Sequence, residues 1–428
     1  MKKTLPALFL FFACFTAQAQ FGNILNKAKD KLKTKANAKI DQHLDKATDK
    51  VVNTADTILT GTATSGGNTT TATTVNRGNA AANVSANTSV TASAGTAQTV
   101  PNFKAFNNYD FVPGDKILFE DHFDDDQTGE FPAHWNLGAG QAVVNQTGDV
   151  KSLLITDGNY AHVSPLIKSP SYLGDAFTIE FDSFFNGGYG PRIYFYSSNA
   201  DATAAHNDLG NISISPGESG AGAQFGSEIG KVDLSGKTPS NGDNYANKWH
   251  HVAIACKKNQ LKIYVDQYRI LVVPNMGITP HAFDIEGIGN ADQPIILANM
   301  RVASGGGMNM LGKKFTDAKI ITHGINFDID KASIKPESMG TLNMIVSVLK
   351  DNPEIKFQVG GHTDNSGTPA HNLTLSQQRA DAVKAQLVTM GIDAARLTTK
   401  GFGDTKPISD NVTIEGKANN RRVEFVKM

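Results

Sequence analysis

Cysteine is nearly absent: Cys14 and Cys256 are the two in 428 residues. Cys14 lies inside an N-terminal segment laid out as a cleaved export signal, so the exported chain keeps one thiol and forms no internal disulfide. An excess of one charge is missing too, with 40 Lys and Arg against 41 Asp and Glu. That balance excludes a global field drawing the protein to nucleic acid or anionic lipid and leaves charge recognition to local groups. Beyond the signal, no apolar run approaches the length of a membrane-spanning helix.

What is present divides the chain into blocks. MKKTLPALFLFFACFTAQAQ has a basic start, an apolar run from Leu5 to Thr16, and small residues at Ala17 and Ala19. Residues 1–19 are therefore expected to leave as a signal peptide, with Gln20 the mature start. A lipid-anchored form would use Cys14, but Phe11 and Phe12 precede it where such signals carry small residues. From 20 to 60, Leu25, Ala28, Leu32, Ala36, Ile40 and Leu44 recur at helical spacing among lysines. This amphipathic helix has two open roles: lying on a membrane surface, or associating with itself or a partner. Residues 61–108 are mostly Thr, Ser, Ala, Gly and Asn, a composition that cannot offset its ordering entropy, and read as a flexible linker.

Between 109 and 305 the pattern becomes short β-branched and aromatic runs bounded by turn residues: KILFEDHF, SLLITD, FTIEFDSFF, RIYFYSS, KWHHVAIACKK, QLKIYVDQYRILVV and PIILANMRV. They predict an all-β sandwich. An outer-membrane barrel is the competing reading, but most runs are shorter than the roughly nine to eleven residues of a spanning strand. Cys256, beside Ile254 and Ala255, is expected as a small core residue, with Lys257 on the opposite face. From 316 to 428 the period switches between two and 3.6. Ile355, Phe357 and Val359 alternate as a strand, Leu342, Ile345, Val346 and Leu349 follow Pro336 as a helix, and Ala380, Val383, Leu387 and Met390 share a second helical face. A Thr374 to Gln377 capping box is expected to start that second helix. Strands near 396–402 and 421–426 complete an α/β domain.

Two stretches resemble known families. NKWHHVAIACKKNQLKIYVDQYRI resembles the tryptophan-led hairpin of concanavalin A-like (laminin-G-like) jelly rolls, on weak motifs. INFDIDKASIKPES, GGHTDNSG, NLTLSQQRADAVKAQLVTMGI, RLTTKGFGDTKPISDN and EGKANNRRVEF resemble, in order and spacing, the OmpA-like C-terminal domain that binds peptidoglycan. The second resemblance implies a βαβαβ-type two-layer domain and a wall-binding role.

Asp364 and Arg379 stand fifteen positions apart, a spacing that by itself leaves ligand binding and a plain ion pair equally open; the resemblance implies that they hold the two charges of one amino-acid zwitterion, the diaminopimelate centre of a stem peptide. Asp364 would take the ammonium and Arg379 the carboxylate, which a guanidinium fork matches. Arg379 is expected in the first turns of its helix, where free amides also favour an anion. The bland reading is an ion pair between the two that fastens loop to helix, and such exposed pairs contribute little. Thr363, beside Asp364, and Asn372 are added to the site, Asn372 having a helix cap as its alternative. Of the two arginines in NNRRVEF, alternation on a strand assigns the binding side to Arg421 over Arg422. Asp328 and Asp330 fit the family's polar turn or act simply as turn formers.

An enzyme reading comes from jelly rolls that cleave β-glucans with a Glu-x-Asp-x-x-Glu strand. Glu180 and Asp182 fill the first two places but Phe185 the third, so the acid and nucleophile pair is incomplete. DDDQTG, from Asp124, opens like a calcium loop but has Trp135 where the twelfth position needs glutamate. Trp135, Trp249, Tyr189 and Tyr194 are either a sugar platform or buried aromatics. The expectation is an exported, non-catalytic envelope protein, associated with the outer membrane and facing the periplasm, with no cofactor or metal. Its partners would be peptidoglycan, a glycan at the sandwich, and an outer-membrane protein or a second copy at the N-terminal helix. The alternatives are a glycan-binding or glycan-cleaving sandwich, and a self-assembling scaffold or adhesin.

Overall fold

Alternation sorts the strands into a buried and a polar side. In Ala176–Phe185, Phe177, Ile179, Phe181 and Phe185 enter one hydrophobic core, while Glu180 and Asp182 point the other way. The computed structural model describes residues 109–155, 161–186, 190–197, 209–217, 220–238, 245–287, 294–306 and 315–428. The expected signal peptide, the 20–60 helix, the 61–108 linker and Tyr189 lie outside these residues. All described residues belong to a single compact unit.

The strands of the first part are β1 (Lys116–Asp121), β2 (Trp135–Ala139), β3 (Ala142–Thr147), β4 (Val150–Ile155), β5 (Ala161–Pro165), β6 (Ala176–Phe185), β7 (Arg192–Tyr196) and β8 (Gly210–Gly217). They continue with β9 (Gly220–Ser227), β10 (Val232–Lys237), β11 (Lys248–Lys257), β12 (Gln260–Val265), β13 (Tyr268–Val273), β14 (Ala282–Gly287) and β15 (Ile295–Ser304). One sheet runs β13-β12-β11-β6-β15-β4-β3, with β1 also on β15; the other runs β10-β9-β8-β7-β14-β5-β2. Both are antiparallel and open, and one core takes residues from each: Ile254 and Val302 from the first, Phe195 and Phe225 from the second. Cys256 is buried in that core.

The second part holds β16 (Lys319–Thr322), β17 (Phe357–His362), β18 (Leu397–Gly403) and β19 (Val423–Lys427) in the order β16-β19-β17-β18. Only the β17–β18 pair of this sheet is parallel. Helices α1 (Met339–Asp351), α2 (Pro369–Thr389) and α3 (Ile414–Asn420) accompany it. Leu342, Ile345 and Leu349 of α1 and Ala380, Val383 and Leu387 of α2 share a core with Phe357, Val359 and Phe425. No helix among the described residues is long and apolar enough to cross a membrane.

Two boundaries differ from expectation. Helix α2 starts at Pro369, with the Thr368 side chain accepting from the His371 amide, not at Thr374. A Thr-Pro pair supplies both a cap and a preset φ, and that outweighs the later Thr–Gln pattern; the Thr374 hydroxyl instead donates to Ala370 O. Arg421 is not on a strand: it caps the C-terminus of α3, a seven-residue helix started by Thr413, and β19 begins at Val423.

The outer face of the first sheet, opposite its core, carries the second part. Tyr109, Phe111, Ala253 and Tyr264 form a small cluster against Met339. The Tyr109 hydroxyl donates to Glu337 O at 3.3 Å, and Arg301 donates to His323 O and Asn326 Oδ1. The Asn419 amide pairs with both backbone groups of Ile117 at 3.0 Å each. At Gly340 the approach is closest, for a β-carbon there would sit 1.8 Å from Phe111 O. In a free helix, Gly340→Ala would add about 1 kcal/mol of stability. Here the overlap should reverse the sign and cost about 1–3 kcal/mol, read as a lower urea midpoint; an unchanged or raised midpoint would show that α1 does not press on residue 111.

Candidate functional site

A cavity of about 900 Å³ lies where the two parts meet. Its second-part wall includes the turn around Asp328, the loop after β17, and residues of α2; its first-part wall comes from β1, β6, β11 and β15.

Strand β17 ends in glycines because α2 crosses it closely: a β-carbon at Gly361 would lie 2.1 Å from Ser376 O. The loop that follows turns on Asp364, 8% exposed, whose Oδ1 accepts from the Ser366 amide at 2.9 Å. Asn372 donates from Nδ2 to Asp364 O at 3.1 Å and to Gly367 O at 3.2 Å, fastening the loop to the first turn of α2. It serves the loop rather than capping the helix, a position Thr368 fills. Thr363 is buried and its Oγ1 has no hydrogen-bond partner.

Arg379 is the eleventh residue of α2, so the expected help from free first-turn amides does not apply. The earlier helix start explains the difference. Its guanidinium lies 4.9 Å from the Phe327 ring centre, and its Nε donates to Lys331 O at 2.9 Å. Arg379 and Asp364 line the same cavity without pairing, and Arg379 has no carboxylate at ion-pair distance among the described residues. Burial and the nearby Arg421 lower its basicity.

Asp364 pairs instead with Arg421, whose Nη1 lies 2.6 Å from Oδ2. Burial raises the Asp364 carboxyl, but the Ser366 amide and Arg421 outweigh it and hold the pKa below the ordinary value. The other end of Arg421 pairs with Glu120 of β1. Arg422 turns away to Glu424 at 2.7 Å and to the carbonyls of Asn420 and Lys406. Asp328 accepts at Oδ2 from Ser333, and Asp330 lies 2.6 Å from His371, so both are engaged in the turn.

Of the opposite wall, sequence singled out only Glu180 and Asp182; Glu120, His251, Asn299 and Arg301 were not foreseen. Glu120, 1% exposed, accepts from Arg301 Nε at 2.8 Å and Nη2 at 2.6 Å. Burial works against its charge, yet Arg301 and Arg421 hold its carboxyl well below the usual range. His251 Nδ1 lies 2.8 Å from Asp182 Oδ1, and Asn299 donates to Asp182 Oδ2 at 2.7 Å. Burial opposes a proton on His251, but Asp182 and Glu180 raise its pKa well above the ordinary value. Glu180 is 3% exposed and its Oε1 has no hydrogen-bond partner. The sequence signal available was a charged residue on the alternate face of strands whose other face is mostly apolar.

Position 184, which alternation places beside Glu180 and Asp182, is phenylalanine as well as 185; Phe184 meets Trp249 edge to face. Trp135 is buried, donating to Asp121 Oδ2 at 2.9 Å, and Trp249 and Tyr194 belong to different sheets, so these three form no common platform. In the acidic turn, Lys151 Nζ donates to Asp124 O and Asp126 O. No cluster of potential metal ligands occurs among the described residues.

Glu120→Gln should cost about 3 kcal/mol, because the partly buried guanidinium groups of Arg301 and Arg421 lose their common buried counter-charge. The sign with pH follows: a carboxyl depressed on folding contributes fully above its unfolded value, near 4.5, and loses that contribution as pH falls through the folded value. Denaturation from about pH 5 to about pH 3 should therefore narrow the gap between wild type and variant; a gap independent of pH would show that folding does not depress the Glu120 carboxyl.

Residues 326–421 match the OmpA family. Over 101 residues, 24% of this chain and 46% of the relative, the chain is 46% identical to the probable lipoprotein YiaD of Escherichia coli. It is 43% identical to outer membrane porin F of Pseudomonas fluorescens over 23% of this chain and 31% of that one. It is 41% identical to the peptidoglycan-binding protein ArfA of Mycobacterium tuberculosis over 24% and 31%. The chain thus spans less than half the length of these relatives. Within it, residues 326–421 form an OmpA-family domain.

Proposed function

We propose that the protein is an exported, non-catalytic cell-envelope protein that fastens an outer-membrane or surface structure to the wall by binding peptidoglycan at the diaminopimelate centre of its stem peptide. The observation carrying this reading is Arg379. A partly buried guanidinium with no carboxylate partner among the described residues lines a cavity that also presents the Asp364 carboxylate, and a zwitterion would supply that anion. Asp364 spends two acceptor positions on Ser366 and Arg421; an ionised carboxylate offers about four, leaving room for an ammonium. Thr363 adds an unpartnered hydroxyl, Asn372 holds the loop in place, and Arg421 orients Asp364. The peptidoglycan-binding relative supports the choice of ligand.

The two-sheet part we read as a concanavalin A-like jelly roll, and the second part as the βαβαβ-type layer domain of the OmpA-like family. A glycan-cleaving role for the sheets is disfavoured because Phe184 and Phe185 fill both positions where a third carboxylate would stand, and Asp182 is committed to His251 and Asn299.

Cosedimentation of the full exported chain with purified sacculi tests the reading. Asp364→Asn and Arg379→Lys should each weaken binding by about 2 kcal/mol, and free diaminopimelate should compete where lysine, lacking the second amino-acid centre, competes less. Full affinity in both variants would place the wall site elsewhere.

A further inference from the structure

The cavity is larger than one amino-acid centre requires. At about 900 Å³ it matches sites that hold a whole drug-sized ligand, roughly 300–1,000 Å³. One side of its wall belongs to the first sheet, whose outer face brings Glu120, Glu180, Asp182, His251, Asn299 and Arg301 to it.

Charges on that face nearly cancel. Glu120 is matched by Arg301 and Arg421, and Asp182 by His251. His251 Nε2 also lies 3.6 Å from Glu180 Oε2, which leaves Glu180 Oε1 as an acceptor with no donor. Burying a carboxylate oxygen without a donor is costly. Across the cavity, Thr363 Oγ1 and both ring nitrogens of His362 also have no hydrogen-bond partner. A wall of mixed, charge-balanced donors and acceptors suits a neutral polyhydroxylic ligand better than a further ion.

We propose that the outer face of the first sheet is a second part of the wall-binding site, and that Glu180, with Asn299 on the same face and Thr363 across the cavity, takes hydroxyl and acetamido groups of the amino sugars that carry the stem peptide. The inference rests on the reading that Asp364 and Arg379 hold the diaminopimelate centre. It gives the sheets a role in recognition without turnover: the acidic strand reads the sugar and does not cleave it.

Calorimetric titration of the full exported chain with two ligands separates the possibilities: a diaminopimelate-containing tripeptide, and the same tripeptide on its amino-sugar disaccharide. The disaccharide form should bind about tenfold tighter, the effect of roughly one good hydrogen bond to a charged group. In Glu180→Gln the ratio of the two affinities should fall toward one. Equal affinities in the wild type would overturn the proposal while leaving the diaminopimelate site standing, whatever the variant does. A ratio unchanged in the variant would remove Glu180 from the sugar contact. Failure of both ligands to bind the wild type would overturn the underlying site as well.

Discussion

The carboxylate of Glu120 is the point on which the arrangement depends. It is almost wholly inaccessible, and such a charge persists only with close partners. Arg301 comes from its own sheet and Arg421 from the OmpA-family domain, so one buried anion joins two structural parts. Arg421 then passes the connection to Asp364. Removing any member leaves an unmatched charge beside the buried Glu120, which makes this chain of four residues more demanding than three separate surface ion pairs of the same geometry.

This connection couples binding to packing. In the proposed reading a ligand ammonium shares Asp364 with Arg421, and whatever it gains there is set against the hold of Arg421 on Glu120. Linkage works in both directions: conditions that tighten the domain contact change the affinity for the ligand by the same factor that the ligand changes the contact. The OmpA-family domain of this chain therefore need not behave as the isolated segment would.

Much of the fold was legible where physical signals are local. FTIEFDSFF, KWHHVAIACKK and PIILANMRV alternate or cluster β-branched and aromatic residues and are β6, β11 and β15. Strands such as Gly220–Ser227 and Val232–Lys237 gave no such signal, since glycine, serine and alanine carry little hydrophobic contrast. In the candidate site, the neighbourhood of Asp364 and Arg421 follows from residues in motif order, although Arg421 reaches it from a helix end and not from a strand. Glu120 and Arg301 were hidden for a different reason: they stand 301 and 120 positions from Arg421, and only the docking of one part on the other brings them near. Periodicity reports which face a residue takes, not what covers that face.

The Asn419 amide has an effect apart from recognition. Among the described residues strand β1 pairs only with β15, so its far side is the kind of unpaired border to which another chain can add by hydrogen-bonding its backbone. By taking the N–H and C=O of Ile117, Asn419 imitates one rung of a neighbouring strand and blocks that addition. One small side chain thus closes at that point a border along which the sheet would otherwise be open to extension.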